Sequence, residues 1–251
     1  MKAAPDAQLR LLDVQALDTR LDQLAHRRAT LPEIAELRAV EERLGALRGD
    51  VVREETADSD LAREQTRIEN EVEMVVNRAT RDQQRLDAGQ VSNPRELESL
   101  QHEIGSLGRR RADLEDGILE IMERREAVQS RLDGLRTERD RLAASRVELE
   151  QRLSTTMGEI DAEAIDTTTR RAAAVADVPD DLLALYEKIR ASSGGVGAAP
   201  LLRGQCQGCR LTLPGSELAA LRAAPPDDVL RCDECRRILV RTAESGLETA
   251  R

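Results

Sequence analysis

The sequence predicts a mainly α protein, a long antiparallel coiled-coil hairpin followed by a small C-terminal β module built on four cysteines. Three observations predict it. Two heptad-patterned stretches flank one strong turn signal, Asp87-Ala88-Gly89-Gln90 followed by Ser92-Asn93-Pro94-Arg95-Glu96. The 251 residues hold a single aromatic side chain, Tyr186, while 34% are charged; that balance disfavours one rounded core and favours long helices. All four cysteines fall in two C-x2-C pairs, Cys206/Cys209 and Cys232/Cys235.

A first helix is expected over residues 8–28, with Val14, Leu17, Leu21 and Leu24 on one stripe. Thr30-Leu31-Pro32-Glu33 resembles a capping box and predicts a break near residue 30. From there a heptad runs to the turn, and eleven of its fifteen a and d positions are apolar. Gly89 and its neighbours stop that helix. Asn93 then caps a returning one, Pro94 occupies a first-turn position that needs no N–H, and Glu96 completes a capping box. Asn93, Pro94, Arg95 and Glu96 therefore mark the hairpin tip.

The returning arm places Leu or Ile at most d positions, but Arg111, Arg125, Arg139 and Arg146 at a. With Leu97 opposite Asp82, Arg125 is expected to meet Glu54 and Arg146 to meet Glu33, with Arg111 and Arg139 beside Glu69 and Glu41. Partly buried charges need partners, so these arginines are read as setting register. Asp58 and Gln65, also seam positions, predict a locally wet layer. Beyond residue 160 the pattern frays at Asp166-Thr167-Thr168-Thr169. A short helix follows Pro179, and Ser192-Ser193-Gly194-Gly195-Val196-Gly197 reads as a flexible linker or turn. The expected division is residues 1–178 as the kinked hairpin, with its tip at about 87–94. Residues 179–251 would hold the short helix, the linker and the cysteine module.

The spacing C-x2-C-x22-C-x2-C is the strongest chemical signal in the chain. Each pair can aim two thiolates at one ion, and Gly208 permits a tight knuckle. Together they complete a tetrahedral all-cysteine site for one structural Zn2+. Four thiolates leave no position for a reactive water, and no βαβ context supports a redox dithiol. Short strands are expected at 199–203, 229–231 and 238–240, with a helical insertion from Pro214 to Ala223. A module this small depends on the metal to fold.

The stretch Asn93-Pro94-Arg95-Glu96-Leu97-Glu98-Ser99-Leu100-Gln101-His102-Glu103-Ile104, with Cys206-x-Gly-Cys209 and Cys232-x-x-Cys235-Arg236-Arg237-Ile238-Leu239-Val240, resembles the bacterial C4-type zinc ribbon proteins that carry an N-terminal coiled-coil hairpin. The resemblance covers nearly the whole chain. It implies the coiled coil plus ribbon fold, with the four cysteines as zinc ligands. It also implies nucleic-acid binding, or chaperone and adaptor roles in flagellar and type III secretion systems. Members commonly end the last motif with tyrosine, where Val240 stands here.

The net charge of −10 argues against general polyanion binding. No apolar run approaches a membrane span, the N-terminus lacks the apolar stretch of a signal peptide, and two C-x2-C pairs suit a cytoplasmic location. His26 and His102 fall on the solvent face. Nothing pairs a nucleophile with a base or forms a phosphate loop, so neither an enzyme nor a small-molecule substrate is expected. The expectation is a non-enzymatic adaptor that binds a protein partner through ribbon and hairpin. The alternative is RNA or DNA binding by ribbon arginines, with Arg210, Arg236, Arg237 and Arg241 as the contacts. Between residues 200 and 241 seven arginines face five acids, and four thiolates on one Zn2+ add two negative charges, so the ribbon is near neutral.

Overall fold

The computed structural model of the chain describes residues 1–247. Four helices come first: α1 (Pro5–Ala29), α2 (Pro32–Asp87), α3 (Pro94–Val175) and α4 (Asp180–Ser192). Strands β1 (Ala198–Leu202) and β2 (Gln205–Cys206), helix α5 (Gly215–Ala223), and strands β3 (Leu230–Arg231) and β4 (Ile238–Val240) follow. The sheet order is β2-β1-β4-β3, with β1 and β4 parallel and both outer pairs antiparallel. Only β2 was not legible beforehand; its two residues pair with Leu201 and Leu202.

Local chemistry accounts for the helix ends. Pro5 at the first turn of α1 starts that helix before its apolar stripe begins. At its far end Thr30 faces backwards. Its N–H and hydroxyl both donate to the His26 carbonyl, at 3.0 and 2.8 Å. Thr30 thus closes α1, a different use from the capping box expected for α2. At the tip the Gln90 N–H reaches the Arg85 carbonyl (3.2 Å) and the Gly89 N–H the Leu86 carbonyl (3.1 Å). This is a Schellman stop, with Gly89 at φ +64° in the left-handed region. Asn93 Oδ1 accepts the Arg95 N–H at 3.0 Å and opens α3.

Residues 35–150 form one compact unit, the two arms of the hairpin. Leu61, Ile121, Val128 and Leu132 make its buried centre, flanked by Val51, Ala57 and Ile68. The register expected from the arginines is corrected here. Arg125 donates to Asp58 Oδ1 (3.1 Å) and Gln65 Oε1 (3.0 Å), while Glu54 pairs with Arg131 (3.0 Å). The guanidinium bridges the turns on either side of Leu61, so its partners lie further toward the tip than Glu54. It also satisfies the two polar residues expected to leave the seam wet. Arg111, Arg139 and Arg146 do not set register either. They run along their own helix to Glu115, Asp140 and Glu150 (2.7, 2.7 and 3.3 Å), where a long side chain keeps its charge in water.

Among the described residues, 1–34 and those from 151 onward form the other unit. The physical reason is a shared core. Leu11 and Val14 of α1, Leu182, Tyr186 and Ile189 of α4, and Ala198, Ile238 and Val240 of the sheet bury one another. α3 remains helical through Thr167–Thr169 to Val175, where fraying was expected. Tertiary packing outweighs propensity there: Ile160 packs against Leu24 and Leu31, Thr167 is buried, and Arg20 and Arg28 pair with Glu163 and Asp161. Residues 193–197, expected to be a flexible linker or a turn, open on a turn at 193–195 and are tied down. The Gln15 amide accepts the Gly197 N–H (2.7 Å) and donates to the Gly195 carbonyl (2.9 Å). A Cβ on Gly197 would lie 2.6 Å from the Tyr186 carbonyl oxygen.

One ionic cluster fastens this unit. Asp18, only 3% exposed, accepts the Tyr186 hydroxyl (2.7 Å) and Arg171 Nε (2.5 Å). Arg171 continues to Glu187 (3.1 Å), and Arg190 reaches Asp22 (2.7 Å). Burial, reinforced by Asp18, holds the Tyr186 phenol well above its usual range, so it stays a donor. Asp18→Asn removes the carboxylate that Tyr186 and Arg171 share, and it is expected to lower the unfolding free energy by about 3 kcal/mol. Urea titration followed by the fluorescence of the single tyrosine checks this; a loss below about 0.5 kcal/mol would show the cluster to be ornamental.

Candidate metal centre

The two C-x2-C segments form matching knuckles. In the first, the Arg210 N–H donates to the Cys206 carbonyl (2.7 Å) and the Cys206 N–H to the Leu211 carbonyl (3.0 Å). In the second, Arg236 N–H to Cys232 (2.9 Å) and Cys232 N–H to Arg237 (3.1 Å) repeat the pattern. Gly208 serves close approach: a Cβ there would sit 2.8 Å from Arg237 Cδ and 3.1 Å from Ala199 Cβ. β2 delivers Cys206, and the β3–β4 connection delivers Cys232 and Cys235.

The four Sγ atoms lie within 4.8 Å of one another. Cys206 and Cys235 are 3.8 Å apart, and Cys209 and Cys232 are 3.9 Å apart. A tetrahedron with Zn–S bonds of about 2.3 Å has sulfur–sulfur edges of about 3.8 Å, so the residues present fit one structural zinc ion. Cys206 and Cys232 are buried, and Cys209 and Cys235 are half-buried. Without metal, burial pushes the Cys206 thiol up to about 12 and raises Cys232 as well. Burial also works against ionising Cys235, but the Arg237 N–H and the facing thiols outweigh it and lower that group.

The four arginines proposed as contacts separate into two kinds. Arg237 is held inside: Nε donates to the Val196 carbonyl (3.0 Å), Nη1 to Gly208 (3.0 Å) and Nη2 to Ser193 (2.7 Å). It rivets the first knuckle and the end of α4 to the second knuckle. Arg241 likewise donates to the carbonyls of Ala224, Pro225 and Pro226 (3.0, 2.7 and 2.8 Å). Their guanidiniums are engaged by backbone oxygens. Arg210 and Arg236 are exposed. Both follow the second cysteine of a knuckle and both adopt the left-handed conformation, φ +61° and +62°. The tip residues Asn93, Pro94, Arg95 and Glu96 are exposed as well. Gln15 and Asp18 were missed in the sequence, although a signal existed: Leu11, Val14, Gln15 and Asp18 recur at helical spacing, and two polar residues on such a stripe must be hydrogen-bonded inside.

Residues 14–194 match the family model of the CT398-like coiled coil hairpin domain, and residues 205–239 that of the C4-type zinc ribbon domain. An uncharacterized protein of Mycobacterium tuberculosis is 36% identical over 241 residues, covering 96% of this chain and 98% of its own. A solved structure from Mycobacterium smegmatis is similar with a TM-score of 0.81 at 34% identity, covering 96% of this chain and 100% of that one. CT398 from Chlamydia trachomatis shares the fold at 19% identity, with a TM-score of 0.68 over 94% of this chain and 98% of its own.

Because the sheet core is shared with α1 and α4, removing zinc with a chelator is expected to expose Tyr186 as well as unfold the knuckles. Tyrosine quenching and near-ultraviolet circular dichroism check this, and an unchanged tyrosine signal would show that the ribbon unfolds alone. Zinc binds thiolates, whereas the buried Cys206 thiol keeps its proton at neutral pH. The stabilisation by metal is therefore present at high pH and lost as pH falls. Affinity is expected to drop about tenfold per pH unit for each proton displaced, measured by competition with a chromophoric chelator.

Proposed function

Since this chain belongs to the CT398-like coiled coil hairpin family and carries a C4-type zinc ribbon, we propose that it is a non-enzymatic adaptor that docks a protein partner at the exposed rim of its zinc centre. One observation supports this reading above the others. Arg210 and Arg236 stand at left-handed backbone positions where glycine is at ease and an L side chain costs about 1–2 kcal/mol. Neither guanidinium has an ion pair among the described residues, so no internal contact explains retaining them. Leu211, half-exposed beside Arg210, adds an apolar surface next to one of these free charges. That pairing suits a protein surface.

The closed four-thiolate site would serve to hold these side chains in place, since zinc without an open position does structural work. A cytoplasmic location belongs to the same proposal; no helix among the described residues is long and apolar enough to cross a membrane. Phosphate-backbone binding is the weaker reading, because Arg237 and Arg241 are already committed. Asp233 and Glu234 also share the second knuckle with Arg236, and the one aromatic near the ribbon, Tyr186, is buried in the core and cannot stack a base.

The test replaces both arginines with glycine in the full chain. Stability is expected to be unchanged or to rise by about 1 kcal/mol, while a protein crosslinked to the wild-type ribbon in the native cells is lost from the variant. A nuclease-sensitive absorbance at 260 nm that salt removes and the variant lacks would transfer the role to nucleic acid. Lower stability in the glycine variant would make the arginines structural and sink the proposal.

A further inference from the structure

Leu119 and Met122 lie one turn apart on α3 and are 58% and 50% exposed. The other large exposed apolar side chains on the hairpin arms, Val52, Met74, Leu97 and Val147, stand singly, as scattered surface residues commonly do. Leu119 and Met122 instead share the wall of a groove along the seam, with Glu123, Glu126 and Gln129 on the same helix and Gln65 across from them. Arg125 also lines it, but its charge is answered by Asp58, and its Nη1 donates to Gln65.

The charge around this groove is predominantly acidic. From Ala112 to Glu126 the helix carries Asp113, Glu115, Asp116, Glu120, Glu123 and Glu126 against two arginines, Arg124 and Arg125. Glu115 is taken by Arg111 (2.7 Å). Glu120, Glu123 and Glu126 form no ion pair among the described residues, unlike Glu54 and Glu138, which pair across the seam with Arg131 and Arg43 (3.0 and 2.8 Å). We infer that this groove is a docking site for a cationic amphipathic helix. Its apolar stripe would cover Leu119 and Met122, and its lysines or arginines would reach Glu123 and Glu126. The mode is helix-in-groove recognition, and the thioether of Met122 adapts to side chains of different shape. A second copy of this chain fits less well, because it would bring the same unpaired carboxylates against one another. The site is separate from the ribbon rim and does not depend on it.

The experiment uses the full zinc-loaded chain and a fluorescein-labelled helical peptide of about 18 residues, with leucines at i, i+3 and i+7 and lysines on both flanks. Anisotropy at about 150 mM salt measures binding. Leu119→Gln with Met122→Gln, and separately Glu123→Gln with Glu126→Gln, are each expected to weaken it about tenfold or more. Val147→Gln with Glu148→Gln, exposed residues outside the groove, should change it less than about twofold. Circular dichroism of each variant guards against misfolding, and Arg210→Gly with Arg236→Gly should leave this binding intact whatever it does at the ribbon. The inference is overturned if the wild-type chain does not bind the peptide or if the control pair weakens it equally. It is likewise overturned if a glutamate-flanked peptide binds as well, or if sedimentation shows the groove variants dissolving a dimer.

Discussion

The sheet of the ribbon is buried on both faces, and most of the larger unit depends on that constraint. Alternation along β1 and β4 sends Ala198, Ile238 and Val240 toward α1 and α4, and Ala199, Leu201 and Leu239 toward the cysteines and α5. Neither face is large enough to be stable by itself. The thiolate site organises one side, and the helices complete the other. Asp18, Gln15 and Arg237 then tie together the chain segments that meet around the sheet. Metal binding, strand pairing and helix packing are in this way one cooperative event.

Arginine is nearly the only base in this chain, and the fold uses it in three ways. Arg237 and Arg241 each gather several backbone carbonyls, a task suited to a rigid fork of N–H groups. Arg125 sits over an apolar seam residue and satisfies an acid and an amide one turn away on either side. Arg210 and Arg236 do neither, and they occupy a backbone conformation that resists side chains. Counting arginines along the ribbon treats all of these alike, which is why a charge census could not separate structural arginines from free ones. The acids divide in a similar way. Those opposite an arginine across the seam are neutralised, and those beside Leu119 and Met122 are not.

The hairpin arms show how far side-chain reach loosens a register argument. A rule that places each buried charge directly opposite its partner assumes short side chains. Arginine spans more than a helical turn, so the pairing of Arg125 with Asp58 and Gln65 satisfies the same electrostatic demand at a different alignment. Three further seam arginines escape along their own helix. The apolar layer of Leu61, Ile121, Val128 and Leu132 therefore sets the alignment, and the charges adapt to it.

Local information determined much of this protein from its sequence alone. The helix stops at Ala29 and Asp87, the cap at Asn93, the heptad arms and the four zinc ligands all rest on residues close together in the chain, where steric and hydrogen-bonding rules act directly. Three of the four strands and the α5 insertion were legible for the same reason. The tertiary structure decided what lies far apart. It placed the ribbon in a common core with α1, ordered the glycine-rich segment through Gln15 and Arg237, and kept α3 helical across its threonines. These outcomes turn on contacts between residues well separated in the chain, 41 positions for Arg237 and Val196 and 182 for Gln15 and Gly197, and such contacts are energetic sums over a finished packing. No spacing in the chain encodes them.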